Sequence, residues 1–314
     1  MILIASEKND FSTNEVIDYL MAENVDFLRI NREDRYEFKF KKEGIFIKIN
    51  QKEILLNNID TFWYRRGKLQ IYRSLKFTNI FHSYFSNEVE VLNHHLNQGI
   101  GVRKLNNYYS SDPNKLEVIE FAKELDILTP KTYVIDNKDD VISLYSDHAI
   151  VTKGITGSSV FENIATGEIH LSYTTEINKK NINKLPESFF PSLFQEKIEK
   201  AYEIRTFFLE RRFWSMAIFS QENQKTKIDF RHYDKSKPNR KASYLLPKHL
   251  EAKLNLLMEK IGLNSGSIDF IVSKSKKQIY FLEVNPIGQF AMTSSPCNYN
   301  LEQHISKYLI NETT

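Results

Sequence analysis

Short apolar runs and one amphipathic stretch alternate at the start of the chain. Residues 2–6 (ILIAS) predict a buried strand, and residues 25–31 (VDFLRIN) predict a second one. Residues 12–24 between them carry apolar side chains at helical spacing, with Ser12 or Thr13 as the expected N-cap. Strand, helix and strand in this order predict a small α/β lobe with a parallel sheet.

The alternating pattern continues up to about residue 112. Residues 42–49 and 52–56 predict a hairpin, and residues 59–67 (IDTFWYRRG) predict a further strand that ends in two arginines. Helical spacing then predicts a long helix from about Asn79 to Asn97. These elements extend the N-terminal α/β lobe.

A new pattern begins at the sequence SSDPN. Asp112 suits an N-cap and Pro113 suits the first helical position, so a helix is expected to begin here. Thr129-Pro130 is expected to end this helix. Residues 148–161 (HAIVTKGITGSSVF) predict a strand, a Gly/Ser/Thr loop and another strand.

The last third of the chain combines strands with one polar segment. Residues 221–242 are polar and predict a surface loop or lid. A helix is expected over about residues 248–261, and a hairpin over residues 266–285. The patterns together predict an α/β chain with a boundary near residue 112.

Composition limits the classes of function. A chain of 314 residues with 41% hydrophobic residues can bury a core in two or three lobes. A net charge of +3 and the lack of a binding motif argue against a nucleic-acid partner. No apolar run is long enough for a membrane span, and the N-terminus lacks the features of a signal peptide. The sole cysteine, Cys297, permits no internal disulfide, so a cytoplasmic protein is expected.

The hairpin predicts a cluster of oxygen ligands. Side chains alternate along a strand, so Glu283 and Asn285 share a face. A register symmetric about Lys276 places Asp269 opposite Glu283 on that face. Two carboxylates and an amide oxygen suit Mg²⁺, although polar residues on a solvent-facing hairpin are the commoner explanation for such a pattern. Pro286 then ends the strand.

Two other segments are candidates for nucleotide contacts. Lys153 ends a strand before the loop GITGSS, whose backbone amides and hydroxyls suit a phosphate, although the loop is not a Walker A motif. In FQEKIEKAYEIR (residues 194–205), the backbone from Glu196 to Ile198 is a candidate for adenine, Glu203 for ribose hydroxyls and Arg205 for a phosphate. Each segment alone also fits an ordinary turn or a solvated face.

Taken in order, these motifs resemble the ATP-grasp superfamily over roughly residues 112–289. The resemblance implies an ATP-grasp fold of three lobes. These are an N-terminal Rossmann-like lobe at residues 1–112 and two α+β lobes, at residues 113–195 and 196–314, that clamp ATP. It also implies a role for each matching residue: Lys115 and Lys153 bind phosphates, Glu196 and Ile198 meet adenine, Glu203 binds ribose, and Asp269, Glu283 and Asn285 bind Mg²⁺.

A narrower resemblance covers most of the chain. The opening strand and helix, FWYRRG, FQEKIEKAYEIRTFF and EVNPIGQF are similar to the ligases that mature graspetides (microviridin-type peptides), above all the grasp-with-SPASM maturases. This implies an ATP- and Mg²⁺-dependent macrocyclase of a ribosomal precursor peptide with a leader and an acidic, Thr-containing core. Asp or Glu carboxylates would be joined to Thr or Ser hydroxyls, or to Lys amines. The resemblance also implies a homodimer.

The chemistry implied by the resemblance is phosphoryl transfer followed by acyl transfer. Lys153 and the metal ligands would neutralise charge in the first step. Arg231 is the candidate for stabilising the oxyanion of the second step, although a surface salt bridge also fits it. Arg65 and Arg66 either hold an acidic core peptide or pack against neighbouring aromatic rings.

Two alternatives remain open from the sequence. The first is an ATP-grasp ligase that adds amino acids to a protein or joins small molecules. The second is a protein that binds ATP without catalysing a reaction.

Overall fold

The computed structural model describes residues 1–67, 69–71, 79–108, 110–156, 160–162, 166–171, 173–222, 226 and 236–311. The helices of these residues are α1 (Phe11–Ala22), α2 (Asn79–Gly99), α3 (Lys115–Glu124), α4 (Lys138–Asp147), α5 (Lys179–Asn183), α6 (Lys248–Lys260), α7 (Ala291–Cys297) and α8 (Leu301–Ile310). In this part of the chain, no helix is long and apolar enough to cross a membrane.

The strands lie in five sheets of the described residues. They are β1 (Ile2–Ser6), β2 (Phe27–Asn31), β3 (Tyr36–Lys41), β4 (Gly44–Ile49), β5 (Lys52–Leu55), β6 (Thr61–Tyr64), β7 (Arg103–Leu105), β8 (Thr132–Asn137), β9 (Ile150–Lys153), β10 (Val160–Glu162), β11 (Ile169–Leu171), β12 (Thr175–Glu176), β13 (Ser188–Glu196), β14 (Lys200–Leu209), β15 (Arg212–Phe219), β16 (Arg240–Tyr244), β17 (Ser265–Ser273) and β18 (Ile279–Asn285).

One compact unit combines the N-terminal stretch with two later segments. It comprises Met1–Asp112, Gly262–Gly266 and Pro286–Thr314. Its parallel sheet has the strand order β2-β1-β6-β7, which confirms the predicted parallel α/β lobe. The predicted hairpin is also present as β4 and β5, and β3 extends it to three strands. Helix α1 packs against α8.

The prediction for the N-cap of α1 was wrong. Asp10 is the N-cap, and its carboxylate accepts a hydrogen bond from the backbone N–H of Thr13. Ser12 instead donates its hydroxyl to Asp10, at 2.6 Å. An aspartate and two hydroxyl residues lie within four positions, so helix-start preferences alone do not choose among them.

The second compact unit comprises Pro113–Ile261 and Ser267–Asn285. It contains a four-stranded sheet of order β12-β9-β13-β8 and a five-stranded sheet of order β16-β15-β14-β17-β18. Helices α4 and α5 cover the first sheet through Val141 and Ile182, which pack in one cluster with Ile150 and Phe194. The three-lobe boundaries stay a prediction.

The N-cap of α3 also differs from the sequence prediction. Asn114, not Asp112, caps the helix, because its side chain accepts hydrogen bonds from the backbone N–H groups of Leu116 and Glu117. Pro113 therefore precedes the cap rather than opening the helix. As a result Lys115 is the first helical residue, which fixes where its side chain leaves the helix. The helix also ends at Glu124, before the expected end at Thr129-Pro130.

We expect Gly101→Ala to destabilise the N-terminal unit. Gly101 has a φ of +72°, and an added Cβ would lie 2.9 Å from the backbone nitrogen of Phe62 on β6. The left-handed conformation and the backbone clash together should lower the free energy of unfolding by about 2 kcal/mol. Urea denaturation measures the change.

Gly99→Ala is the matched control, because a Cβ there meets nothing within 4 Å among the described residues. The free energy of unfolding of this variant should stay within about 1 kcal/mol of the parent value, or rise slightly. Equal decreases in the free energy of unfolding of the two variants would contradict the structural explanation given for Gly101.

Candidate active site

The hairpin of β17 and β18 pairs the two predicted carboxylates. Asp269 lies opposite Glu283, as the symmetric register predicted, and Ser267 lies opposite Asn285. The register shifts between Asp269 and Phe270, directly beside the pair. The structure thus brings all three predicted metal ligands to the same end of the hairpin.

Arg205 holds the first carboxylate from the neighbouring strand. It lies on β14, which is adjacent to β17 in the sheet. Its Nη1 donates to both carboxylate oxygens of Asp269, at 3.0 and 3.1 Å. Only 9% of the Arg205 side chain and 12% of the Asp269 side chain are exposed. Arg205 was predicted to meet a phosphate, and in the structure its nearest charged partner is this carboxylate.

Asn285 and Lys115 complete a continuous polar chain. The Asn285 side-chain amide donates to Asp269 Oδ2 at 2.9 Å and to Glu283 Oε1 at 3.3 Å. The other oxygen of Glu283 accepts a hydrogen bond from Lys115 Nζ at 2.8 Å. Helix α3, which begins at Lys115, packs against β18. Two cations therefore face two carboxylates, with an amide between them.

The donor set fits a magnesium ion. Carboxylate and amide oxygens are hard ligands, and a half-turn of the Asn285 amide presents its oxygen in place of its nitrogen. The described residues contain no group of three or more His, Cys, Asp or Glu side chains that could hold a metal ion. An ion held by Asp269, Glu283 and Asn285 would therefore need further oxygens from water or phosphate, which is common for Mg²⁺.

Glu203 lies on the same face of β14 as Arg205, two residues before it. Its carboxylate is buried and forms an ion pair with Lys200 through Oε1. Ser220, which follows β15, donates its hydroxyl to Oε2. Donors from two segments of the chain therefore fix the orientation of this carboxylate.

The remaining predicted nucleotide contacts lie around β9 and β13. Lys153 ends β9 opposite Leu193, whereas Glu196 ends β13 opposite Ile150. Lys153 and Glu196 are thus at opposite ends of the paired strands, and the structure does not bring them together. Ile198 follows β13 and is half-buried.

Three predicted features lie wholly or partly outside the described residues. Arg231 is one of them. The loop GITGSS is described only from Gly154 to Thr156. Of the surface loop predicted at residues 221–242, only residues 221–222, 226 and 236–242 are described, and its last residues belong to β16.

The two adjacent arginines of the N-terminal unit differ in burial. Arg65 has 4% of its side chain exposed, and Arg66 has 33%. Arg65 forms an ion pair with Asp10 at 3.0 Å, donates to the carbonyl of Gly288 at 3.0 Å, and donates to the hydroxyl of Ser12 at 3.0 Å. Arg65 therefore supports the start of α1, and Arg66 is the more accessible member.

The charges of this cluster perturb one another. Burial lowers the pKa of Arg65 to about 10, while Asp10 opposes the change. Burial pushes the pKa of Asp10 upward, but Arg65, the hydroxyls of Ser12 and Thr13, and Arg66 together hold it below its ordinary value. Asp10 is therefore ionised at neutral pH, and its charge depends on the guanidinium of Arg65.

Sequence reasoning missed Lys200, Ser220 and Asp10. Lys200 lies three residues before Glu203, in a motif whose other residues were assigned to adenine, ribose and phosphate. The opposite charge so near to Glu203 was the available signal. Ser220 lies 17 residues beyond Glu203 and meets it only through the pairing of β14 with β15. No local pattern points to that contact.

Several solved structures resemble this chain over its whole length. The macrocyclase MdnC of Microcystis aeruginosa, bound to precursor peptide MdnA, has a TM-score of 0.79 at 24% identity and covers 99% of both chains. A RiPP-associated ATP-grasp ligase of Chryseobacterium gregarium, in complex with ADP and a leader and core peptide, has a TM-score of 0.81 at 22% identity, covering 100% of this chain and 97% of its own.

A third structure is more distant in sequence. The ATP-grasp ligase PsnB, complexed with a phosphomimetic variant of a minimal precursor, Mg and ADP, has a TM-score of 0.72 at 12% identity. The match covers 100% of this chain and 98% of the PsnB chain. No protein-family model matches the chain, and no curated protein matches its sequence. These likenesses show that the chain has the ATP-grasp fold, as the sequence resemblance implied.

We expect Arg65→Met to destabilise the protein far more than Arg66→Met. The first variant leaves Asp10 buried without its nearest cation, which should lower the free energy of unfolding by about 3 kcal/mol. The second removes a half-exposed arginine and should cost less than about 1 kcal/mol. Chemical denaturation of both variants makes the comparison, and similar losses would contradict the structural role of Arg65.

Proposed function

We propose that this protein is an ATP-dependent carboxylate ligase that forms macrocycles in a ribosomal precursor peptide in the cytoplasm. The observation that carries the proposal is the chain of contacts Arg205–Asp269–Asn285–Glu283–Lys115 in a protein of ATP-grasp fold. Similar structures hold ADP, Mg or precursor peptides, which supports the same classes of ligand here.

The proposed cofactors are ATP and Mg²⁺. Asp269, Glu283 and Asn285 would hold the metal, which supplies positive charge to the phosphates. Each of the other proposed residues binds one part of the nucleotide. Lys115 and Lys153 bind the phosphates, Glu196 and Ile198 bind adenine, and Glu203 binds ribose.

The two cations of the polar chain differ in accessibility. Lys115 has 23% of its side chain exposed, compared with 9% for Arg205. We therefore expect Lys115 to exchange its contact with Glu283 for a phosphate oxygen. Arg205, buried against both oxygens of Asp269, would hold that carboxylate in a fixed orientation for the metal.

The proposed reaction has two steps. An oxygen of a peptide Asp or Glu carboxylate attacks the γ-phosphorus of ATP, the bond to the bridging oxygen breaks, and ADP leaves. A Thr or Ser hydroxyl, or a Lys amine, then attacks the acyl carbon of the mixed anhydride and phosphate leaves. The nucleophile loses its proton, so each link removes the elements of one water from the peptide.

The remaining substrate contacts come from the resemblance. Arg231 is proposed to stabilise the oxyanion of the second step. Arg66 is proposed to contact an acidic core, because it is more exposed than Arg65. A Thr-containing acidic core, a leader peptide and a homodimer complete the proposal.

Mass spectrometry of the peptide product tests the proposed reaction. The purified protein is incubated with Mg-ATP and the small Thr- and Asp/Glu-containing peptide encoded beside its gene. We expect the peptide to lose the mass of one water per link, with one ADP formed for each. A gain of amino-acid mass would indicate the amino-acid-adding alternative, and bound ATP without ADP release would indicate a binding protein.

Glu283→Gln and Asn285→Ala test the metal site. Each variant should remain folded and should lower turnover by a factor of about 100 or more, because the phosphates lose a metal-held contact. Binding of Mn²⁺ in the presence of ADP, followed by electron paramagnetic resonance, should weaken about tenfold or more. Lys260→Ala, which breaks the exposed ion pair with Glu124, is the control. Normal turnover in both site variants would contradict the metal assignment.

A further inference from the structure

Glu203 is held by two donors from different parts of the chain. Lys200, at the beginning of β14, pairs with Oε1, and Ser220, the residue after β15, donates to Oε2. The side chains of Lys200 and Glu203 are 5% and 6% exposed. A buried carboxylate is stable only when such partners satisfy it, and one donor on each oxygen also sets the angle of its plane.

Ser220 is itself fixed by its surroundings. Its side chain is fully buried, and Gln221 Nε2 donates to its hydroxyl oxygen at 3.2 Å. Its backbone carbonyl accepts a hydrogen bond from Thr226 Oγ1 at 2.9 Å, and the same hydroxyl of Thr226 lies 3.0 Å from Asn239 Oδ1. These contacts hold Ser220 at one place beside the sheet, so its hydroxyl is a fixed donor.

We propose that Ser220 and Lys200 are positioning residues that orient Glu203 toward the ribose of ATP. The inference rests on the proposed function, which assigns Glu203 to the ribose hydroxyls. A hydrogen bond between a carboxylate and a hydroxyl depends strongly on angle, so the rotation of Glu203 determines how well both ribose hydroxyls are accepted. These two residues thereby set the preference of the site for ribonucleotides.

The preference for ribose is measurable without the peptide substrate. Calorimetry with ATP, 2′-deoxy-ATP and 3′-deoxy-ATP gives the ratio of dissociation constants for each variant. We expect the unmodified protein to bind ATP at least about tenfold more tightly than either deoxy analogue, which corresponds to about 1.4 kcal/mol. Ser220→Ala should reduce this ratio to within about threefold while ATP still binds.

Two further variants separate positioning from a general structural effect. Lys200→Arg keeps the buried positive charge but moves the donors, so it should also reduce the ratio. Ser215→Ala is the matched control, because Ser215 is a buried serine of β15 that bonds to Thr206 Oγ1 at 2.7 Å, on the other face of β14. This control should keep the ratio of the unmodified protein.

The outcomes distinguish the inference from the proposed function. Failure of the unmodified protein to bind ATP would overturn both. Binding of ATP without preference for ribose would overturn the inference alone, as would unchanged ratios in Ser220→Ala and Lys200→Arg. If Ser220→Ala does not fold, as judged by circular dichroism, the ratio of dissociation constants measured for Lys200→Arg decides whether the inference holds.

Discussion

The buried ion pair of Arg205 and Asp269 is the constraint on which the candidate site depends. A carboxylate with 12% of its side chain exposed loses most of its hydration and must be compensated by a cation and hydrogen bonds. Arg205 provides both by meeting the two oxygens of Asp269 from the adjacent strand. Since Arg205 is equally buried, burial of either charged side chain would be unfavourable without the other. The pair therefore aligns β14 with β17 at the site.

The two cations of the polar chain differ in exposure, and this difference suits a site for exchangeable ligands. Asn285 donates to both Asp269 and Glu283, and Lys115, which contacts Glu283, is more exposed than Arg205. A fully buried and fully paired cluster would resist a metal ion, because its entry would leave displaced cations without partners. In this arrangement a metal ion would displace Lys115, the more exposed cation, and the buried pair of Arg205 and Asp269 would remain intact.

The parts of the site that the sequence predicted follow local rules. Alternation along a strand and the length of one turn were enough to place Asp269 opposite Glu283. Arg205 is separated from Asp269 by 64 residues, and their contact depends on which strands become neighbours in the sheet. Likewise, Ser220 meets Glu203 only after β14 pairs with β15. Tertiary pairing of this kind leaves no local pattern.

The fold shows the same limit at its helix ends. Both wrong N-caps lie within three residues of the true ones, where several Asp, Asn, Ser or Thr side chains compete. Asp10 is the cap of α1 in a cluster where its charge is also paired with Arg65, and pattern alone cannot show that contact.

In each unit, the burial of a charged side chain, rather than its residue type, indicates whether it supports the fold or is available to a ligand. Arg65 and Arg66 are adjacent and identical in chemistry, yet only Arg65 is enclosed by a carboxylate, a hydroxyl and a carbonyl. Arg205 and Lys115 are both cations that face a carboxylate, yet only Arg205 is held by two oxygens at once. If a buried charged side chain changed partners on ligand binding, its former partner would be left as an unpaired charge in an apolar interior. A change of partner is therefore easiest for the more exposed cation of each pair, which is Arg66 in one unit and Lys115 in the other.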